Sequence, residues 1–140
     1  MLFAELKVGD SIPSLTLVNQ FDERVEISKE GSSTLLLSFE KDISADIQEF
    51  LEKQDDNFLS DNHMVYISDI SSLPTFLVNI FVLPSLKKFD FKVALIYDEN
   101  ELNREEKKAT LIYLKDNMVT DIIFIEASKL KDFMAKPTSS

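Results

Sequence analysis

Short apolar runs alternate along the chain with stretches in which apolar residues recur every third or fourth position. Residues 34–39 form a continuous apolar run, as expected of a strand covered on both faces in a central, parallel position. After it, Ile43, Ile47, Phe50, Leu51 and Phe58 keep a helical stripe, with Asp42 or Ser44 available to cap the first turn. Residues 63–68 read as a second core strand, opened by His63. Ser71, Ser72 and Pro74 then mark a helix start. That helix carries Phe76, Leu77, Val78, Ile80, Phe81, Val82 and Leu83 as far as Pro84, which is expected to kink or end it.

Upstream of this unit, residues 16–18 and 24–27 are β-prone and flank Asn19, Gln20, Phe21 and Asp22, the pattern of a small hairpin. Downstream, residues 93–97 form a short strand that stops in Asp98, Glu99 and Asn100, and residues 101–108 read as a charged loop. Residues 110–114 and 119–125 flank Lys115, Asp116, Asn117 and Met118 and predict an antiparallel hairpin without the usual turn glycine. Ser128 offers an N-cap to a last helix with Leu130, Phe133 and Met134 on one face. The order is an α/β unit joined to an antiparallel edge.

Composition narrows the chemistry. The 140 residues suit one compact domain, and 44% apolar with 29% charged residues is an ordinary globular balance. Only two glycines are present, Gly9 and Gly31, which argues against a glycine-rich phosphate loop. A formal net charge of −10 repels phosphate backbones and anionic headgroups, so nucleic acid is not an expected partner. The absence of cysteine removes disulfides, thiolate metal sites and thiol catalysis together. No apolar run is long enough to span a bilayer, and no basic segment followed by an apolar one opens the chain. The expected compartment is the cytoplasm as the sequence stands, or the periplasm of a bacterial-type cell if an export signal has been removed.

The stretch LKVGDSIPSLTLVNQFDERVEIS, through Gly9, Asp10 and Pro13, resembles the entry of the thioredoxin-like superfamily, in its peroxiredoxin and TlpA/ResA branch and the YtfJ-type proteins. The stretch VALIYDENELNREEKKATLIYLKDNMVTDIIFI is similar to the later part of those domains. The resemblance implies a thioredoxin-like α/β fold, a central mixed β-sheet flanked by helices with a short N-terminal β-hairpin. It would span residues 1–135, followed by a flexible tail over 136–140. It also implies where redox chemistry would sit. Redox-active relatives place a cysteine where the first core strand meets its helix, and that junction here is Glu40, Lys41, Asp42, Ile43 and Ser44. The proline that relatives carry in cis before the last hairpin falls at Ala109, where a cis bond would cost roughly 2.5–4 kcal/mol, so a trans bond is expected.

The candidate sites follow. At residues 41–44, Lys41 and the free N–H groups of a helix start would suit an anion, but Asp42 puts a carboxylate in the same place, and the turn reads first as a helix cap made by Asp42 and Ser44. His63 is the only histidine and reads as an edge residue, and Asp98, Glu99, Asn100 and Glu101 lack calcium-loop spacing, so neither metal nor cofactor is expected. The helix around Phe76, Ile80, Phe81 and Leu83 is apolar on almost every side. Either it meets a second subunit, or residues 89–97 fold over it, or the helix is short and sunk into the core. Two functions are therefore carried forward. The first is a non-catalytic thioredoxin-like binding or assembly module without thiol redox activity, homodimeric through that helix or bound to another protein. The second is an enzyme or small-ligand protein that reuses the vacant cleft near Lys41, Asp42, Ile43 and Ala109 with cysteine-independent chemistry.

Overall fold

Leu35, Leu36 and Leu37 sit in an interior strand of a mixed seven-stranded sheet in the computed structural model, which describes residues 4–13, 15–27 and 30–134. The strands are β1 (Thr16–Asn19), β2 (Arg24–Glu26), β3 (Ser32–Ser38), β4 (Met64–Asp69), β5 (Ala94–Ile96), β6 (Lys108–Lys115) and β7 (Met118–Glu126), in the order β2-β1-β5-β4-β3-β6-β7. β3 is parallel to β4 and antiparallel to β6. β4 is parallel to β5, and hairpins close both ends of the sheet.

The helices are α1 (Lys41–Glu52), α2 (Phe58–Asp61), α3 (Thr75–Leu77), α4 (Leu83–Leu86) and α5 (Ala127–Met134), with a π-helical turn at Val78–Val82 between α3 and α4. None of the described helices is long and apolar enough to cross a membrane.

Several boundaries differ from expectation. α1 stops at Glu52, and Phe58 lies on α2; its ring meets Phe50 edge-on, centroids 5.6 Å apart, so the stripe continues in space but not in one helix. Glu40, not Asp42 or Ser44, stands at the N-cap of α1. His63 takes a left-handed turn at φ 51° just before β4 and lies exposed, outside the strand. α5 begins at Ala127 directly after β7, so Ser128 is inside it. The tail over 136–140 lies outside the described residues.

Pro84 does not end its helix. It lacks an N–H, and its ring would strike the carbonyl of Ile80 in a regular α-turn; the wider π turn just before it makes room, with Leu83 N–H donating five residues back to the Val78 carbonyl. Asp116 and Asn117 form the last hairpin's turn at φ 48° and 68° without glycine, since short polar side chains tolerate the left-handed region.

Alternation along β3 splits the core in two. Leu36 joins Tyr66, Leu95 and Leu111 against Ile43, Ile47 and Leu51 of α1, Val78 and Leu86 of the 75–86 helical stretch, and Leu130 of α5. Leu35 and Leu37 face the other way with Ile67, Ile96 and Ile112, and no described helix contributes to this second cluster. The helices thus flank one face of the sheet. The N-terminal segment covers the other, bringing Leu6, Ile12 and Leu15. Asn103 clamps it, with its side-chain oxygen taking the Leu6 N–H and its amide donating to the Leu6 carbonyl, both at 2.8 Å. In the V-G-D phrase, Gly9 supplies φ 97° while the Asp10 carboxylate accepts the Lys7 N–H at 2.8 Å.

Candidate functional site

β3 and β4 end side by side, with Ser38 opposite Ser68. Beyond those ends the chain leaves the sheet in two directions, through Phe39 and Glu40 into α1 and through Asp69 towards α3. The carboxyl ends of parallel strands are where open α/β sheets leave a crevice. Here it is a cleft of about 480 Å³, bounded by Lys41, Ser44 and Gln48 on one side and by Leu73, Leu77 and Phe81 on the other.

Buried beneath the cleft is a chain of hydroxyls, of which Ser44 reaches the lining. Ser44 Oγ donates to Ser38 Oγ at 2.7 Å, and Ser38 Oγ lies 3.2 Å from the Tyr66 hydroxyl, to which Gln48 Nε2 also reaches at 3.4 Å. Burial pushes the Tyr66 phenol above its ordinary value of 10, against hydrogen bonds from Ser38, Gln48, Ser44 and Ser68 that pull it down. The phenol is therefore neutral at ordinary pH and serves as a hydrogen-bonding group, not as a base. Sequence reasoning missed this network. Its signal was present: Ser38 and Ser68 close two apolar strands, and Ser44 and Gln48 share a helix face at i, i+4.

Charged residues brace the cleft from the side. The Arg104 guanidinium lies 4.0 Å above the Phe39 ring and 3.4 Å from Asp69 Oδ2. Asp69 is buried, and Asn100 Nδ2 at 3.0 Å and the Ser71 N–H at 2.9 Å also donate to it. Glu40 accepts the Lys107 N–H. The charged loop over 97–107 is thus fastened to the ends of both core strands, which its composition alone did not announce.

Of the residues expected at the junction, the structure brings Glu40, Lys41 and Ser44 to the cleft. Asp42 is exposed elsewhere on the first turn, Ile43 is buried in the core, and Ala109 is fully buried in β6 opposite Ile125, outside the cleft lining. No described peptide bond is cis, the one before Ala109 included. His63 sits at the opposite end of β4, and no group of three or more His, Cys, Asp or Glu among the described residues is arranged to hold a metal ion.

The apolar helix shows a divided face. Val78 is buried, and Leu83, expected at the exposed face, is half-buried against the core. Phe76, Ile80 and Phe81 remain 62%, 59% and 64% exposed, with Phe81 also at the rim of the cleft. From Asp69 to Lys87 no intervening residue carries a charge.

Comparison with solved structures matches the whole arrangement of sheet and helices. Peroxidoxin BcpB from Mycobacterium tuberculosis aligns over 92% of this chain and 94% of its own at a TM-score of 0.56 and 13% identity. A peroxiredoxin-like protein from Aquifex aeolicus aligns over 95% and 86% at 0.53 and 12% identity. The fold is thioredoxin-like. The thioredoxin domain of a thiol-disulfide oxidoreductase from Bacteroides vulgatus matches over 91% of this chain and 95% of that one, at 0.53 and 10% identity. No family model and no curated protein sequence matches the chain. At these identities the thioredoxin-like likeness speaks for architecture alone, and this chain has no cysteine with which to perform thiol chemistry.

Proposed function

We propose that the chain is a non-catalytic binding module on a thioredoxin-like scaffold, and that it pairs with a second copy of itself through Phe76, Ile80 and Phe81. The observation that carries this reading is the exposure of three large apolar side chains on one uncharged stretch. Two copies of a chain of formal charge −10 repel one another, and a face without charges is where they approach at least electrostatic cost. Light scattering on the purified protein at high micromolar concentration tests it. A dimer mass that falls to the monomer in Phe81→Asp supports the reading. A monomeric parent, or an unchanged mass in a well-folded Phe81→Asp variant, defeats it.

A second reading rests on the cleft, where a buried hydroxyl network lies under a rim carrying Lys41. A small polar or anionic ligand held there would raise the melting temperature in a metabolite screen, and Lys41→Ala would abolish that shift. A silent screen beside a stable dimer favours the first reading.

A further inference from the structure

We propose that the helix-free face of the sheet holds a binding cavity for a small amphiphile, an unbranched apolar chain ending in a neutral or cationic group. On the side of the sheet away from the cleft, a cavity of about 310 Å³ lies beneath the N-terminal segment. Half-buried Leu6, Ile12, Leu15 and Leu17 form its accessible sides, over a closely packed floor that includes Ile67 and Ile112. Protein interiors rarely leave voids larger than a water molecule, and parallel strands are normally covered on both faces. Here an irregular segment takes the place of a covering helix, and it leaves space. The space is far larger than one water molecule needs and is partly open at the surface, as suits a short hydrocarbon chain. Walls of leucine and isoleucine offer water no partners and stay dry, which suits a hydrocarbon chain.

The polar groups that line the cavity choose the other end of the ligand. They are Glu5, Asp10 and Ser11, all exposed and so at its mouth. Two carboxylates there, on a chain of formal charge −10, disfavour a fatty acid and favour an alcohol or an alkylammonium.

The test uses the neutral fluorophore N-phenyl-1-naphthylamine and its displacement from the full chain by decylamine, decanol and decanoate. The expected result is saturable binding of one equivalent, displaced by decylamine and decanol about tenfold better than by decanoate. Affinity should rise about fourfold per methylene along the alkylamines and level off once the cavity is filled. Ile67→Phe, which fills the cavity, should weaken binding at least about tenfold, while Phe81→Asp leaves it unchanged and so separates this cavity from the apolar helix face. If Ile67→Phe fails to fold, Leu17→Phe on the short strand β1 takes its place, and Glu5→Gln should narrow the preference for decylamine over decanoate. Non-saturable probe fluorescence, full affinity in a folded cavity-filled variant, or decanoate binding as tightly as decylamine would each overturn the proposal.

Discussion

The Tyr66 hydroxyl and Ser38 Oγ meet 3.2 Å apart beneath the cleft, joining the interior of β4 to the last residue of its parallel neighbour β3. Ser44 and Gln48 reach the same pair from α1, so one phenol fastens the helix to the strands. Tyr66→Phe removes the hub of that contact. The expected loss is about 1–2 kcal/mol in urea unfolding, with an unchanged dependence on denaturant.

The same phenol makes a pH prediction. Burial raises its folded-state pKa above the unfolded value, so its contribution to stability is fully present below about pH 10 and is lost as pH rises towards the folded value. Tyr97 and Tyr113 are shifted the same way, by burial first and then by Asp22 and Asp121 respectively. Unfolding curves between about pH 9 and 11 should therefore show a smaller alkaline loss in Tyr66→Phe than in the parent, but not its disappearance.

Gln20 is nearly fully buried at the turn of the first hairpin and serves three backbone groups. Its amide nitrogen donates to the Phe91 and Leu86 carbonyls at 2.8 and 3.3 Å, and its oxygen accepts the Val93 N–H at 2.7 Å. Gln20→Leu keeps the bulk and strands those groups away from water. A loss of about 2–4 kcal/mol is expected by chemical denaturation.

Arg104→Ala leaves the buried Asp69 carboxylate with Asn100 and the Ser71 N–H but without its cation, and it uncovers the Phe39 ring. Because the guanidinium is partly exposed, the expected loss is modest, about 1–2 kcal/mol. Hydrogen exchange should quicken first in the loop over 97–107.

The sequence made the repeating features plain and hid the singular ones. β3 announced itself because an uninterrupted apolar run has few other uses, and the last hairpin because Asp116 and Asn117 are residues that tolerate left-handed turns. Gln20 read as a loop residue because its three partners lie more than 60 positions away, at separations of 66, 71 and 73. Hydroxyls beneath the cleft were easily passed over for a related reason: serine and glutamine occur on every surface, and only the parallel register of β3 and β4, with Leu36 opposite Tyr66, brings Ser38 within reach of that phenol. Pro84 misled because a proline's usual effect on a helix is judged against regular turns, and a π turn changes the geometry it meets. The apolar helix was legible as a surplus of hydrophobic positions. Which of them face outward depended on that π turn, and it turned Leu83 inward while leaving Phe81 out.

The N-terminal segment is held by the last hairpin and the loop before it, with Gly9 N–H donating to the Val119 carbonyl, Ser11 bridged to Met118, and Leu6 clamped by Asn103 across 97 positions. On the ribosome, which releases about 5–20 residues each second, this segment has nothing to dock against until Asn103 and the last hairpin, made some 97 positions and more later, have emerged. Until then the leucines and isoleucines of the helix-free face stand uncovered, and a segment made before the strands it covers is placed after them.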